Sequence, residues 1–98
     1  MYKILIVEDD QSLLQALTLR LERENFRIIS ARDGEDGLEQ AKNLHPDLIL
    51  LDIIMPRMDG ITMLKKLRTD EWGKKVSVII LTNLSDAEKE ADAIEQGY

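Results

Sequence analysis

The sequence predicts an α/β domain built on a parallel sheet. Three observations carry that expectation. Short apolar runs rich in β-branched residues recur along the chain, at Lys3–Val7, Arg27–Ala31, Leu48–Leu51 and Val76–Leu81. Between them, apolar residues recur at helical spacing instead. The two kinds of segment alternate, strand then helix, four times. That order belongs to a parallel sheet with right-handed crossovers and helices on both faces.

Each element has a local reason. Lys-Ile-Leu-Ile-Val at 3–7 is a continuous apolar run cut off by Glu8-Asp9-Asp10, as expected of a strand buried on both faces. From Gln11 to Glu24 the period changes: Leu14, Leu17 and Leu21 form a stripe that Leu13 widens, and Asp10 or Ser12 can cap its start. Arg27–Ala31 is a second strand, closed by Arg32-Asp33-Gly34. The helix over Glu35–Leu44 places Leu38, Ala41 and Leu44 on one side, and Gly37 weakens it by roughly 1 kcal/mol relative to Ala. His45-Pro46 ends it, because the residue before proline avoids helical dihedrals.

Leu48–Leu51 is a third strand that ends on Asp52. Met55-Pro56 and Asp59-Gly60 mark a loop, and a helix over Ile61–Thr69 turns Leu64 and Leu67 inward. Glu71–Lys75 is a polar connection holding Trp72 and Gly73. The buried strand Val76–Leu81 reaches Thr82, and a polar helix over Ser85–Gln96 follows, with Gly97 at its C-terminal cap position.

Composition bounds the function. A chain of 98 residues makes one domain with a thin core, burying about 60–65% of the unfolded surface. Cysteine is absent, which excludes disulfides, thiolate zinc sites and a thiol nucleophile, and fits a cytoplasmic setting. No apolar run approaches the roughly 20 residues that span a membrane. The formal net charge of −6 argues against direct binding of nucleic acid or anionic lipid.

In open parallel sheets, sites form at the carboxyl ends of the strands. Those ends carry Glu8, Asp9 and Asp10, then Asp52, then Thr82. Singly, each has a plain explanation as a cap, a turn residue or a strand residue. Together, Glu8, Asp9 and Asp52 crowd like charges at one rim, at a cost of several kcal/mol unless a cation offsets it. Carboxylates, backbone carbonyls and water are the ligands Mg²⁺ accepts. Such an ion also neutralises an incoming phosphoryl group, so that a carboxylate oxygen can attack phosphorus. Thr82 is placed to donate a hydrogen bond to a phosphoryl oxygen.

Three segments then point to a family. Lys-Ile-Leu-Ile-Val-Glu-Asp-Asp at 3–10, Asp-Leu-Ile-Leu-Leu-Asp-Ile-Ile-Met-Pro-Arg-Met-Asp-Gly at 47–60 and Val-Ile-Ile-Leu-Thr at 78–82 strongly resemble the receiver domains of two-component response regulators. The resemblance covers the whole chain. It implies a flavodoxin-like (CheY-like) parallel sheet of order 2-1-3-4. It implies that Asp52 accepts a phosphoryl group from a phosphohistidine on a sensor histidine kinase or phosphotransfer protein. Asp9, Asp52 and the backbone carbonyl of Ile54 are implied as Mg²⁺ ligands, with Glu8 helping through water and Thr82 as the switch hydroxyl.

The same resemblance implies a fifth strand ending in Lys, followed by a fifth helix. The 98 residues stop before both, and Lys74, Lys75 and Lys89 do not match that position. The expectation is therefore a receiver (phosphoacceptor) domain over 1–98 that is C-terminally incomplete, truncated before the fifth strand and helix. Its fourth strand then forms an edge, with self-association through that edge expected.

Two other readings remain. A phosphatase with an aspartyl-phosphate intermediate usually places a second Asp two residues after the nucleophile, where this chain has Ile54. A truncated or engineered receiver fragment could act as a folding or assembly module without phosphorylation. His45, the only histidine, has no partner at ligand spacing and is expected in an exposed loop. Met55, Met58 and Met63 read as packing residues, and Trp72 as cover for apolar surface at a helix end.

Overall fold

The computed structural model describes residues 2–52 and 59–81. The expected last helix over Ser85–Gln96, the loop residues 53–58 and Thr82 lie outside the described residues. Along the chain run β1 (Lys3–Val7), α1 (Gln11–Arg23), β2 (Arg27–Ala31), α2 (Gly34–Leu44), β3 (Leu48–Asp52), α3 (Gly60–Arg68) and β4 (Ser77–Leu81). The strands form one parallel sheet of order β2-β1-β3-β4. Helix and strand boundaries fall within one residue of the expected ones.

The alternation of side chains splits the core in two. Leu5, Val7, Ala31, Ile49 and Leu51 line one sheet face, and Ala41, Met63, Leu64 and Leu67 of α2 and α3 close over them. Ile4, Ile6 and Leu50 line the other face, where Leu14, Leu17 and Leu21 of α1 pack. β1 and β3 are the central strands, buried on both faces as their continuous apolar runs require.

Three expectations need correction. Leu13 and Leu44 are exposed rather than part of their helices' inward stripes, because each lies at the margin of a narrow contact face. The strand β4 is not buried throughout: Ile79 is 52% exposed. Ile79 stands level with Leu50, on the face that α1 covers, and α1 leads from β1 to β2, away from β4.

All three described helices begin on an aspartate that accepts from the first-turn backbone. Asp10 caps α1 through Ser12 N at 3.0 Å and Leu13 N at 3.2 Å, which settles the choice between Asp10 and Ser12. Asp33 caps α2 through Asp36 N, and Asp59 caps α3 through Thr62 N, both at 2.8 Å. Each cap is worth about 1 kcal/mol.

Gly37 has a packing reason that its helix propensity conceals. A Cβ there would lie 2.9 Å from both Val7 methyls and 3.1 Å from Met63 Sδ. The missing side chain lets α2 approach β1 directly beneath Glu8. The connection after α3 is fastened by Arg68, whose guanidinium donates to Gly73 O at 2.7 Å and Val76 O at 2.8 Å.

His45 is exposed, as expected, yet it is not idle. It ends α2 in the left-handed region, at φ 46°, and its N–H donates to Ala41 O. Its ring stacks on Trp72, with centroids 4.4 Å apart and planes 9° from parallel. The only histidine and the only tryptophan thus tie the α2–β3 loop to the α3–β4 connection.

Two outcomes follow for stability. Gly37→Ala should destabilise the chain by about 1–2 kcal/mol in denaturant unfolding, because overpacking against Val7 outweighs the helix-propensity gain. An equal or higher stability would show that α2 can move away freely. His45→Ala should cost about 0.5–1 kcal/mol and shift Trp72 fluorescence to the red as the indole meets water. An unchanged emission spectrum would count against the stack.

Candidate functional site

The site is set by strand register. Val7 of β1 is level with Ala31 of β2 and with Leu51 of β3. One residue further along, Glu8 and Asp52 therefore stand side by side at the carboxyl rim. The backbone keeps them there: Glu8 N donates to Ala31 O at 3.0 Å, and Asp52 is still paired within the sheet, opposite Leu81.

Acids from distant segments reach this rim, Glu8, Asp9, Asp10, Asp33, Asp52 and Asp59 among them. The structure separates them by role. Asp10, Asp33 and Asp59 spend their carboxylates on helix caps. Glu8, Asp9 and Asp52 converge instead, each with a carboxylate oxygen within 4.8 Å of the others'. Glu8 is 4% exposed and Asp52 9%, whereas Asp9 is exposed. Of the residues expected at the site, these three are brought together. Thr82 and Ile54 lie outside the described residues.

The cluster is electrostatically uneasy. Like charges at such separations repel by a few kcal/mol per pair at the effective dielectric of protein sites. Glu8 carries the consequence: its carboxyl is pushed up from 4.5 to about 7. Burial is the main cause, and the charges of Asp52 and Asp9 act in the same direction. A hydrogen bond between the Glu8 and Asp52 side chains also favours a proton on Glu8, while the Asp10 backbone N–H, 3.1 Å from Glu8 Oε1, opposes these effects.

The donor set suits a hard divalent cation. It offers only carboxylate oxygens, from three side chains, at a place where negative charge is otherwise destabilising. Soft or borderline metals that seek nitrogen or sulfur find neither here among the described residues. The one role that sequence reasoning left unassigned is that of Asp33 and Asp59 as caps. The signal was present in both cases, an Asp directly before Gly at a helix start.

The family model described as the response regulator receiver domain matches residues 4–98. The response regulator ArlR of Staphylococcus aureus is 36% identical over 97 residues, covering 99% of this chain and 43% of ArlR. The chain spans 28–43% of the length of the first curated relatives it matches. Among solved structures, a putative response regulator from Chloroflexus aurantiacus superposes with a TM-score of 0.90 at 29% identity, covering 98% of this chain and 79% of that one. The receiver domain of the sensor histidine kinase PA1611 from Pseudomonas aeruginosa, solved with a magnesium ion coordinated in its active-site cleft, also gives 0.90, at 26% identity over the same shares. A match of that extent, on a sheet of this order, places the chain in the response regulator receiver domain family.

Proposed function

We propose that the chain is a phosphoacceptor in two-component signalling, with Asp52 as the acceptor and a phosphohistidine of a sensor histidine kinase or phosphotransfer protein as the donor. The observation that carries this reading is the position of Asp52. It ends the central strand β3, nearly buried, in a cluster with Glu8 and Asp9.

An Asp52 carboxylate oxygen forms a bond to phosphorus while the bond from phosphorus to the donor's imidazole nitrogen breaks. The nitrogen keeps the electron pair, and a proton retained on the other ring nitrogen makes the leaving group a neutral imidazole. Little covalent work falls to the protein, so positioning and charge compensation dominate. Mg²⁺ would be held by Asp9 and Asp52, with Glu8 and the Ile54 carbonyl as the further ligands the family resemblance implies, and would supply positive charge for the phosphoryl oxygens. The sheet holds Asp52 in place, and Thr82, one residue beyond Leu81, is the hydroxyl that donates to the phosphoryl group. The domain takes part in its own phosphorylation without being an enzyme acting on others. No helix among the described residues is long and apolar enough to cross a membrane.

Incubation with Mg²⁺ and phosphoramidate, read by intact mass, tests the proposal. One phosphate adduct is expected, and Asp52→Asn should abolish it. Donor turnover without an adduct would favour the phosphatase reading, and a folded chain that is never modified would favour an assembly fragment.

The state of Glu8 makes a second outcome measurable. Mg²⁺ competes with a proton that Glu8 holds up to about pH 7. Mg²⁺ affinity, by calorimetry, should therefore rise between pH 6 and pH 8. Without metal the sign reverses for stability. The folded chain binds more protons than the unfolded one between pH 4.5 and about 7, so this contribution is lost as pH rises through that window. Glu8→Gln should flatten both dependences. A pH-independent Mg²⁺ affinity in the parent chain would overturn the assignment.

A further inference from the structure

The charges of the molecule are sorted along the sheet axis. Lys3 and Arg27 stand at strand starts, and Arg20, Arg23, Lys42, Lys65, Lys66 and Arg68 in the last turns of helices. Lys74 and Lys75 precede β4. Helices in this fold run against the strands, so all of these lie at the end away from the acid cluster. Among the described residues, Arg32 is the one cation at the carboxyl rim.

Its place there is defined. Arg32 directly follows Ala31, which is level with Val7 and receives the Glu8 N–H at 3.0 Å. Arg32, Glu8 and Asp52 therefore stand in one row across β2, β1 and β3. Adjacent strands lie about 4.8 Å apart, which puts the Arg32 backbone roughly 10 Å from that of Asp52. The three-methylene stem of an arginine reaches across the intervening strand, and Arg32 is exposed, so its guanidinium can swing over the site.

The rim presents an approaching phosphodonor, itself an anion, with Glu8, Asp9, Asp10, Asp33, Glu35, Asp36, Asp52 and Asp59. Helix N-termini and a bound cation offset part of that charge. A guanidinium adds what neither supplies: a planar pair of donors matched to phosphate oxygens. We propose that Arg32 is a binding residue for the anionic phosphodonor, gripping its phosphoryl oxygens as it settles over Asp52. This rests on Asp52 being the acceptor.

The test follows phosphorylation of the full chain by phosphoramidate with saturating Mg²⁺, using intact mass against time. Arg32→Gln should raise the half-saturating phosphoramidate concentration roughly fivefold, the size of one exposed charge contact, and keep the maximal rate. Arg32→Lys should fall between the two, since the charge remains and the paired donors do not. Mg²⁺ affinity measured alongside should not fall in Arg32→Gln. Unchanged half-saturation, a loss confined to the maximal rate, or weakened Mg²⁺ binding each overturns the proposal. An adduct that Asp52→Asn abolishes but Arg32→Gln leaves untouched overturns it alone. No adduct on the parent chain overturns the acceptor reading along with it.

Discussion

The parallel pairing of β1 with β3 is the constraint on which the rest depends. It holds Val7 level with Leu51, and so sets Glu8 beside Asp52 although 43 residues of sequence separate them. A slip of one residue would turn the whole apolar set of a strand to the other face. The register is therefore enforced by the two cores, not by the carboxylates, which repel one another. Burial of Leu5, Ile6, Val7, Ile49 and Leu51 provides the free energy that holds the acids together.

The same economy of parts runs through the rim. Acids that could have added to the repulsion are instead engaged by helix starts, where Asp10, Asp33 and Asp59 each receive backbone N–H donors. The three left over are the ones with a cluster to form. Gly37 contributes from below: it lets α2 lie against Val7, the last residue of β1 before Glu8 and Asp9. A thin core leaves little slack for any of these contacts.

At the opposite end of the sheet the structure is fastened differently. His45 on Trp72, Arg68 on two carbonyls, and Lys3 on Asp47 and Leu44 tie loops to one another. This end carries most of the described cations and none of the acid cluster. Placing stability at one end and charge stress at the other lets the rim keep a carboxylate geometry that would be unfavourable without a cation.

The amino-acid sequence by itself determined the elements, their alternation and the parallel sheet, because burial on two faces and helical periodicity are written locally in each segment. It also named Glu8, Asp9 and Asp52, since acids at strand ends fall at one rim in any sheet of this class. The tertiary structure decided that Asp10 rather than Ser12 caps α1 and that Asp33 and Asp59 cap α2 and α3, because a cap depends on where the carboxylate meets the first-turn N–H groups. Only it showed that Glu8 is buried enough to hold a proton near neutrality, with the charges of Asp52 and Asp9 acting in the same direction. Leu13, Leu44 and Ile79 read as core and proved exposed, for a related reason: periodicity marks which side of an element is apolar, and only packing decides how far the neighbouring element extends over it.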